Sequence, residues 1–254
     1  MSNSLWFSIL SKEAKYVSDE PEFFPSDVFD WTKHSKSVAE QVKGELLEYL
    51  QNHHLQAYFN TTMSEDVRKW KTVSLKWWGL EFYQNQKHFP KTTRFINSIP
   101  GLVSASFNLL EPHSRIFPHC GDTNGIYRCH LGLEIPGGLP ECGFRVVDEK
   151  RAWKEGEWLI FIDAQEHEAW NNTESNRYIL VIDIIREKYS HKKFYISTVV
   201  LTGLFLQKIA ETFPMLYKLQ GFLSFRKIMV HGLLPFCFIA VRVRNWLSKW
   251  GWVS

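Results

Sequence analysis

The sequence predicts a mainly β domain, a sandwich or barrel, with helices before it and a helical tail after it. Three observations carry this. From about residue 101, short runs rich in β-branched and aromatic residues are separated by Gly, Pro, Asn and Asp, the pattern of an all-β domain with frequent turns. Before it, residues 35–57 place Val38, Val42, Leu46, Leu47 and Leu50 on one helical stripe. After about residue 191, Leu- and Phe-rich segments are interrupted by Pro214 and Pro235, which reads as two or three helices.

The elements follow in order. Residues 1–34 mix acidic, aromatic and Pro residues without periodicity and read as irregular. Ser37 is placed to cap the first helix, with Glu40 completing a capping box. Thr72–Phe82 is a strand or a short helix. The expected strands are Val103–Leu110, Tyr127–Ile135, Gly143–Val147, Trp158–Ile162 and Tyr178–Ile185. The breakers between them include Glu111-Pro112, Pro136-Gly137-Gly138 and Asn171-Asn172. The expected division is an N-terminal segment over 1–60 packing on the core, a β domain over 61–190, and a basic apolar tail over 191–254. Trp77 and Trp78 read as core.

Composition bounds the partners. With 44% hydrophobic and 22% charged residues among 254, the chain can bury a core and is not a disordered type. From Ser190 to Ser254 there are nine Lys/Arg and one Asp/Glu, against 21 basic and 26 acidic residues before it. A mildly acidic body thus carries a tail of net charge +8, which favours an anionic membrane surface. Docking of the tail on the body or on a second subunit is the alternative. Nucleic acid is not expected as a partner. The longest uncharged stretches of the tail, Phe194–Gln207 and Ile228–Val241, have 14 residues each, short of the roughly 20 that span a bilayer. Four cysteines without a CxxC pair, and an N-terminus with no basic stretch or cleavage site, point to a reducing compartment. A cytoplasmic protein is expected, free or peripheral at the membrane.

Two histidines stand out. His119 lies in FPHCGDTNG, in a loop leading into a strand, and His167 in DAQEHEAWNN, just after WLIFID. A sandwich can bring such strand ends together, and an oxygen-activating iron needs few protein ligands because it must keep positions open. In the strand Tyr127–Ile135, alternation puts Arg128, His130, Gly132 and Glu134 on one face. Arg and His there make a poor dry core and a good lining for an anion; Glu134 reads as structural. Arg177 opens the last strand and could clamp a carboxylate in bidentate fashion. Asp163, Glu166, Glu168 and Arg186 read as solvated charges, and Trp170 as a packing residue.

At these residues the chain resembles a family. PHCGDTNGIYRCHLGLEIP, WKEGEWLIFIDAQEHEAWNN and NRYILVIDI, in this order and spacing over roughly 70–190, resemble the aspartyl/asparaginyl β-hydroxylases, which are Fe(II)- and 2-oxoglutarate-dependent dioxygenases. The resemblance implies a double-stranded β-helix, a cupin-like jelly roll. It implies His119 and His167 as iron ligands, and Arg128, His130 and Arg177 as contacts to 2-oxoglutarate. Asn108 stands where the family has a cofactor-contacting Ser. Gly121 stands where other 2-oxoglutarate oxygenases carry an acidic ligand, and Asp122 is one residue further on, within reach of the metal if the loop bends. The reaction implied consumes O₂ and 2-oxoglutarate, releases succinate and CO₂, and hydroxylates an unactivated carbon. Gly121 points to an Asp/Asn-type side chain in a peptide or small molecule. The tail points to the alternative, a lipid or membrane-bound substrate of the lipid A acyl-chain type. A third reading is a non-catalytic jelly-roll binding module.

Overall fold

The computed structural model describes residues 4–13, 15–58, 63–66, 68–213 and 222–253. Eight strands in succession form its centre: β4 (Leu102–Leu110), β5 (Ser114–His119), β6 (Ile126–Glu134), β7 (Cys142–Val146), β8 (Glu149–Arg151), β9 (Trp158–Ile162), β10 (His167–Asn171) and β11 (Arg177–Ile185). They divide between two antiparallel sheets, one in the order β4-β11-β6-β9 and the other β5-β10-β7-β8. This crossing back and forth is a jelly roll. Leu110, Phe161 and Ile179 of the first sheet share one buried cluster with Ile116, Phe144 and Ala169 of the second, so the two sheets face each other. The first sheet is extended by β1 (Gln56–Ala57), β2 (Trp70–Trp77) and β3 (Leu80–Glu81).

The five expected strands match β4, β6, β7, β9 and β11 to within a residue, because runs rich in β-branched and aromatic residues bounded by turn-formers mark strands. Thr72–Phe82 resolves as a strand, a turn with Trp78 at φ 49°, and β3. Residues β5 and β10 were not foreseen. Pro118 lies within β5, which accommodates it because it is an edge strand. His119 therefore ends a strand, and His167 begins one.

Helix α1 runs Ser35–Leu50 and carries the whole stripe, ending before the 35–57 segment does. Ser37 does not cap it: it lies inside the helix and donates its hydroxyl to the His34 carbonyl, while His34 occupies the cap position without a side-chain bond. The first turn is held by packing instead. Ala39, Val42 and Leu46 lie in one cluster with Cys129, Leu131 and Leu133 of β6, so the alternation along β6 is as expected and its other face looks into the sandwich. Buried Glu45 accepts from the Lys91 and Thr92 amides at 2.7 and 2.8 Å. These amides open α3 (Pro90–Asn97), which follows the short α2 (Tyr83–Gln86), and a carboxylate there satisfies unpaired donors and the helix dipole.

The tail contains α4 (Lys193–Thr212) and a helix we label α5 (Leu223–Lys249). Pro214 lies outside the described residues. Pro235 does not separate helices; it sits exposed within α5, where the helix forgoes one N–H bond. Ile196, Val199, Val200 and Val230 are buried with Val103, Ile126 and Ile185 of the body, so one side of the tail belongs to the core.

Two surface charges foreseen from sequence are in fact buried. Arg186 is 5% exposed, because the irregular N-terminal segment crosses it and Glu20 pairs with its guanidinium. Glu168 accepts from both Arg115 and Arg145.

Candidate active site

The end of β5 and the start of β10 pair with His119 directly opposite His167, and the two imidazole centroids are 4.2 Å apart. Each Nδ1 is tethered to a carbonyl two residues earlier, that of Phe117 at 2.7 Å and that of Gln165 at 2.8 Å. Donation through Nδ1 leaves the Nε2 lone pair as the free one on each ring, the arrangement a metal-binding imidazole requires. Burial holds His119 below its usual range and His167 well below it, so both are neutral at neutral pH. Among the described residues no cluster of three His, Cys, Asp or Glu side chains has metal-ligand spacing. The candidate donors brought together here are the two imidazoles.

Gly121 explains the missing carboxylate. A Cβ at this position would lie 1.9 Å from Oδ2 of Asp163, so the Asp163 carboxylate occupies the space of a side chain at 121. The Gly121 amide donates to the Asp163 carbonyl at 2.8 Å, which locks the two loops together. Asp163 Oδ1 is 3.9 Å from His167 Nε2 and 2.5 Å from Arg128 Nη1. Asp163 is 1% exposed; it is not the solvated loop charge foreseen from sequence. The Asp122 side chain accepts from Ser8 at 3.4 Å and does not line the cavity that contains the histidines.

Arg128 faces inward as expected, but it is already engaged. It donates to Asp183 from Nε at 2.8 Å and Nη2 at 3.0 Å, and it pairs with Asp163. Register sets this, since Arg128 lies opposite Asp183 in the β6–β11 ladder. One guanidinium thus pairs with two carboxylates. Burial, with mutual repulsion, pushes Asp163 up to about 7 and Asp122 up to about 6, so the surroundings favour an added positive charge.

Arg177 is the opposite case. It is 1% exposed, and its Nε and Nη1 have no hydrogen-bond partner. The face of Trp153 lies 4.5 Å from the guanidinium carbon. Burial depresses it to about 10, so it remains charged. A buried unpaired guanidinium facing a cavity is costly unless an anion joins it. His130 lies beside it: its Nδ1 accepts from Trp153 Nε1 at 3.4 Å, which leaves Nε2 as the protonated nitrogen. Asn108 orients the wall: its Oδ1 accepts from Trp70 at 3.2 Å and its amide donates to Ser106 at 2.9 Å. Trp153, Asp163 and Asp183 were missed in the sequence reading. Asp183 carried a signal, a second charge, after Arg177, on the cavity face of an otherwise apolar strand.

His119, His167, Arg177 and His130 line one cavity of about 790 Å³, within the size range of small-ligand sites. It continues over the faces of β2 and β4, past Ser74 and Ser106, to Leu204, Phe205, Leu233 and Phe236 of α4 and α5. One end is polar and charged, and the other is walled by helices.

The two-layer jelly roll with paired histidines at its inner strand ends defines a cupin-like protein with a two-imidazole site. Residues 36–187 match the family model described as aspartyl/asparaginyl beta-hydroxylase, and the chain belongs to this hydroxylase family. An ornithine lipid ester-linked acyl 2-hydroxylase of Rhizobium tropici is 38% identical over 150 residues, 59% of this chain and 53% of that protein. Human aspartyl/asparaginyl beta-hydroxylase is 35% identical over 103 residues, 39% of this chain and 13% of that protein. The chain therefore spans about half of the first relative and a small part of the second. Among solved structures, a Pseudomonas putida prolyl-4-hydroxylase aligns with a TM-score of 0.40 at 14% identity, covering 61% of this chain and 90% of that one.

Proposed function

We propose that the protein is an Fe(II)- and 2-oxoglutarate-dependent dioxygenase that hydroxylates an unactivated carbon of an acyl chain. The observation that carries the first part is Arg177, a buried guanidinium with unpaired donors in the same cavity as the two histidines. It meets the need of a dicarboxylate whose other end chelates a metal. His119 and His167 would hold the iron through Nε2. Iron with 2-oxoglutarate supplies the oxidising power for oxygen insertion into a C–H bond. The chain's own work is to bind and orient. Arg177 takes the distal carboxylate, Trp153 holds that guanidinium flat, and His130 presents an N–H beside it. Arg128 acts one step back, fixing Asp163 and Asp183 around the metal side of the cavity. The apolar walls exclude water from the reacting carbon.

The substrate reading shifts toward lipid. Gly121 favoured an Asp/Asn-type side chain, but its lack of a side chain has a local cause in Asp163 and no longer discriminates. The long apolar arm of the cavity fits an alkyl chain better than a polar side chain, and the rhizobial relative is named for acyl hydroxylation. The test is succinate formation by the anaerobically purified chain with Fe(II), 2-oxoglutarate and ascorbate. Vesicles carrying acylated lipids should stimulate it, and peptides bearing Asp or Asn should not. Stimulation by the peptides alone would return the substrate to the side-chain class. Absence of any Fe(II)-dependent 2-oxoglutarate binding would remove the enzyme reading in favour of a binding module.

A further inference from the structure

Among the described residues, twelve of the eighteen exposed large apolar side chains lie between Phe194 and Trp252. On α5, Ile228, Phe236, Ile239, Val243 and Trp246, and Trp250 at its C-cap, are each at least 50% exposed. Their spacing of three, four or eight residues makes one stripe along the helix. Exposed Lys227, His231, Arg242 and Lys249 border it. An apolar stripe edged by basic residues, with tryptophans toward one end, is the pattern of a helix lying in a lipid interface.

By length and composition α5 could also cross a membrane, and only 6% of its apolar window is buried. Its attachments argue otherwise. Near its start, Arg226 donates to the Ser11 carbonyl at 2.9 Å. Near its end, Asn245 accepts from the Glu81 amide and donates to the Gly79 carbonyl, both at 2.8 Å. These anchors are 19 residues apart, about 29 Å of helix, and both rest on the same body. A helix held at both ends along one body cannot thread a bilayer, but it can lie on one.

The cavity opens at this stripe. Phe205 of α4 and Phe236 of α5 line the cavity and are also 51% and 69% exposed, so the helical end of the cavity reaches the surface at the apolar face.

We propose that the outer faces of α4 and α5 lie in the headgroup layer of an anionic bilayer, and that the space between them is a portal through which a lipid acyl chain passes into the catalytic cavity. The portal rests on the acyl-chain reading of the site; the docking does not. Charge selects the occupant, since a tail of +8 beside an apolar face fits anionic lipid better than a second copy carrying the same charge.

The test uses the full chain and preformed vesicles of phosphatidylglycerol, with phosphatidylcholine alone in parallel. The protein should float with the first and far less with the second. Replacing Ile239→Asp and Val243→Asp together, both exposed and neither lining the cavity, should weaken partitioning by about tenfold or more with an unchanged melting temperature. Cys237 lines the cavity on α5 and reports on the mouth: anionic vesicles should slow its alkylation by a water-soluble maleimide about tenfold, read by peptide mass spectrometry. They should not slow it in the double variant. Failure to float overturns the docking, as does a lipid-free dimer that the same substitutions dissolve. Floating with undiminished Cys237 reactivity overturns the portal. Fe(II)-dependent 2-oxoglutarate binding, followed separately by thermal shift, distinguishes these failures from failure of the enzyme reading.

Discussion

The two ends of the cavity are built by opposite rules. At the charged end nearly every polar atom is tethered: both imidazole Nδ1 atoms to carbonyls, Arg128 to two aspartates, Trp153 to His130. Among the described residues of this end, Arg177 Nε and Nη1 have no hydrogen-bond partner and the histidine Nε2 atoms are untethered, which is where the proposed ligands would bind. At the other end, leucines and phenylalanines of α4 and α5 make non-directional contacts. Such a wall tolerates many chain shapes and specifies none of them. Precision and permissiveness are thus separated along one cavity, and substitutions at the two ends should fail in different ways.

The largest effects are expected where the charged end meets its ligands. His167→Ala should abolish Fe(II)-dependent thermal stabilisation, since it leaves a single imidazole. Arg177→Met should keep metal binding but weaken 2-oxoglutarate by about 100-fold, the loss of hydrogen bonds to a charged group worth about 3 kcal/mol. Titrating each ligand by thermal shift checks both. An Arg177→Met protein with unaltered 2-oxoglutarate affinity would break the assignment of this end.

Arg128 tests whether the tethers are structural. Arg128→Leu strands Asp163 and Asp183 without their counter-charge, which should cost about 3–5 kcal/mol of folding stability, measured by denaturant unfolding of the metal-free protein. Loss of 2-oxoglutarate affinity without loss of stability would instead make Arg128 a direct cofactor contact, as the family resemblance implied.

How far the two ends could be read from sequence follows the same division. Five strands were legible because runs rich in β-branched and aromatic residues end at turn-formers. The histidines and Arg177 were legible as motif positions, and Arg128 and His130 as one face of β6. The tethering was not legible. Asp163 reads as one of several loop acids until the fold brings it against Gly121, and Asp183 finds Arg128 only through strand register. Arg186 read as solvated because nothing in residues 1–34 announces that Glu20 will cover it. The apolar end was legible as composition, net +8 with Leu and Phe, but its opening into the cavity depends on how α4 and α5 pack.

The acidic surroundings set a pH dependence. Asp163 and Asp122 have folded values raised to about 7 and about 6, above the ordinary 3.8. The native state therefore binds more protons than the unfolded chain between about pH 4 and pH 7, and the stability from these groups falls as pH rises through that window. Asp122→Asn removes one of the two groups. It should stabilise the metal-free protein by about 3 kcal/mol at pH 7 and by less at pH 5. Equal gains at both pH values would mean that Asp122 is not a titrating member of the cluster.

The smallest expected effect belongs to the other end. Lys227 is exposed beside the apolar stripe and lines no part of the cavity. Lys227→Gln removes one charge worth about 1 kcal/mol near an anionic surface, about fivefold in partitioning. The loss should appear with phosphatidylglycerol, vanish with phosphatidylcholine and shrink as salt is raised. Affinity for 2-oxoglutarate should not move, because the substitution touches only the permissive end. A fivefold loss that persisted on neutral vesicles or at high salt would mean that Lys227 contributes through its aliphatic stem rather than its charge, and the surface would then select apolar depth over anionic headgroups.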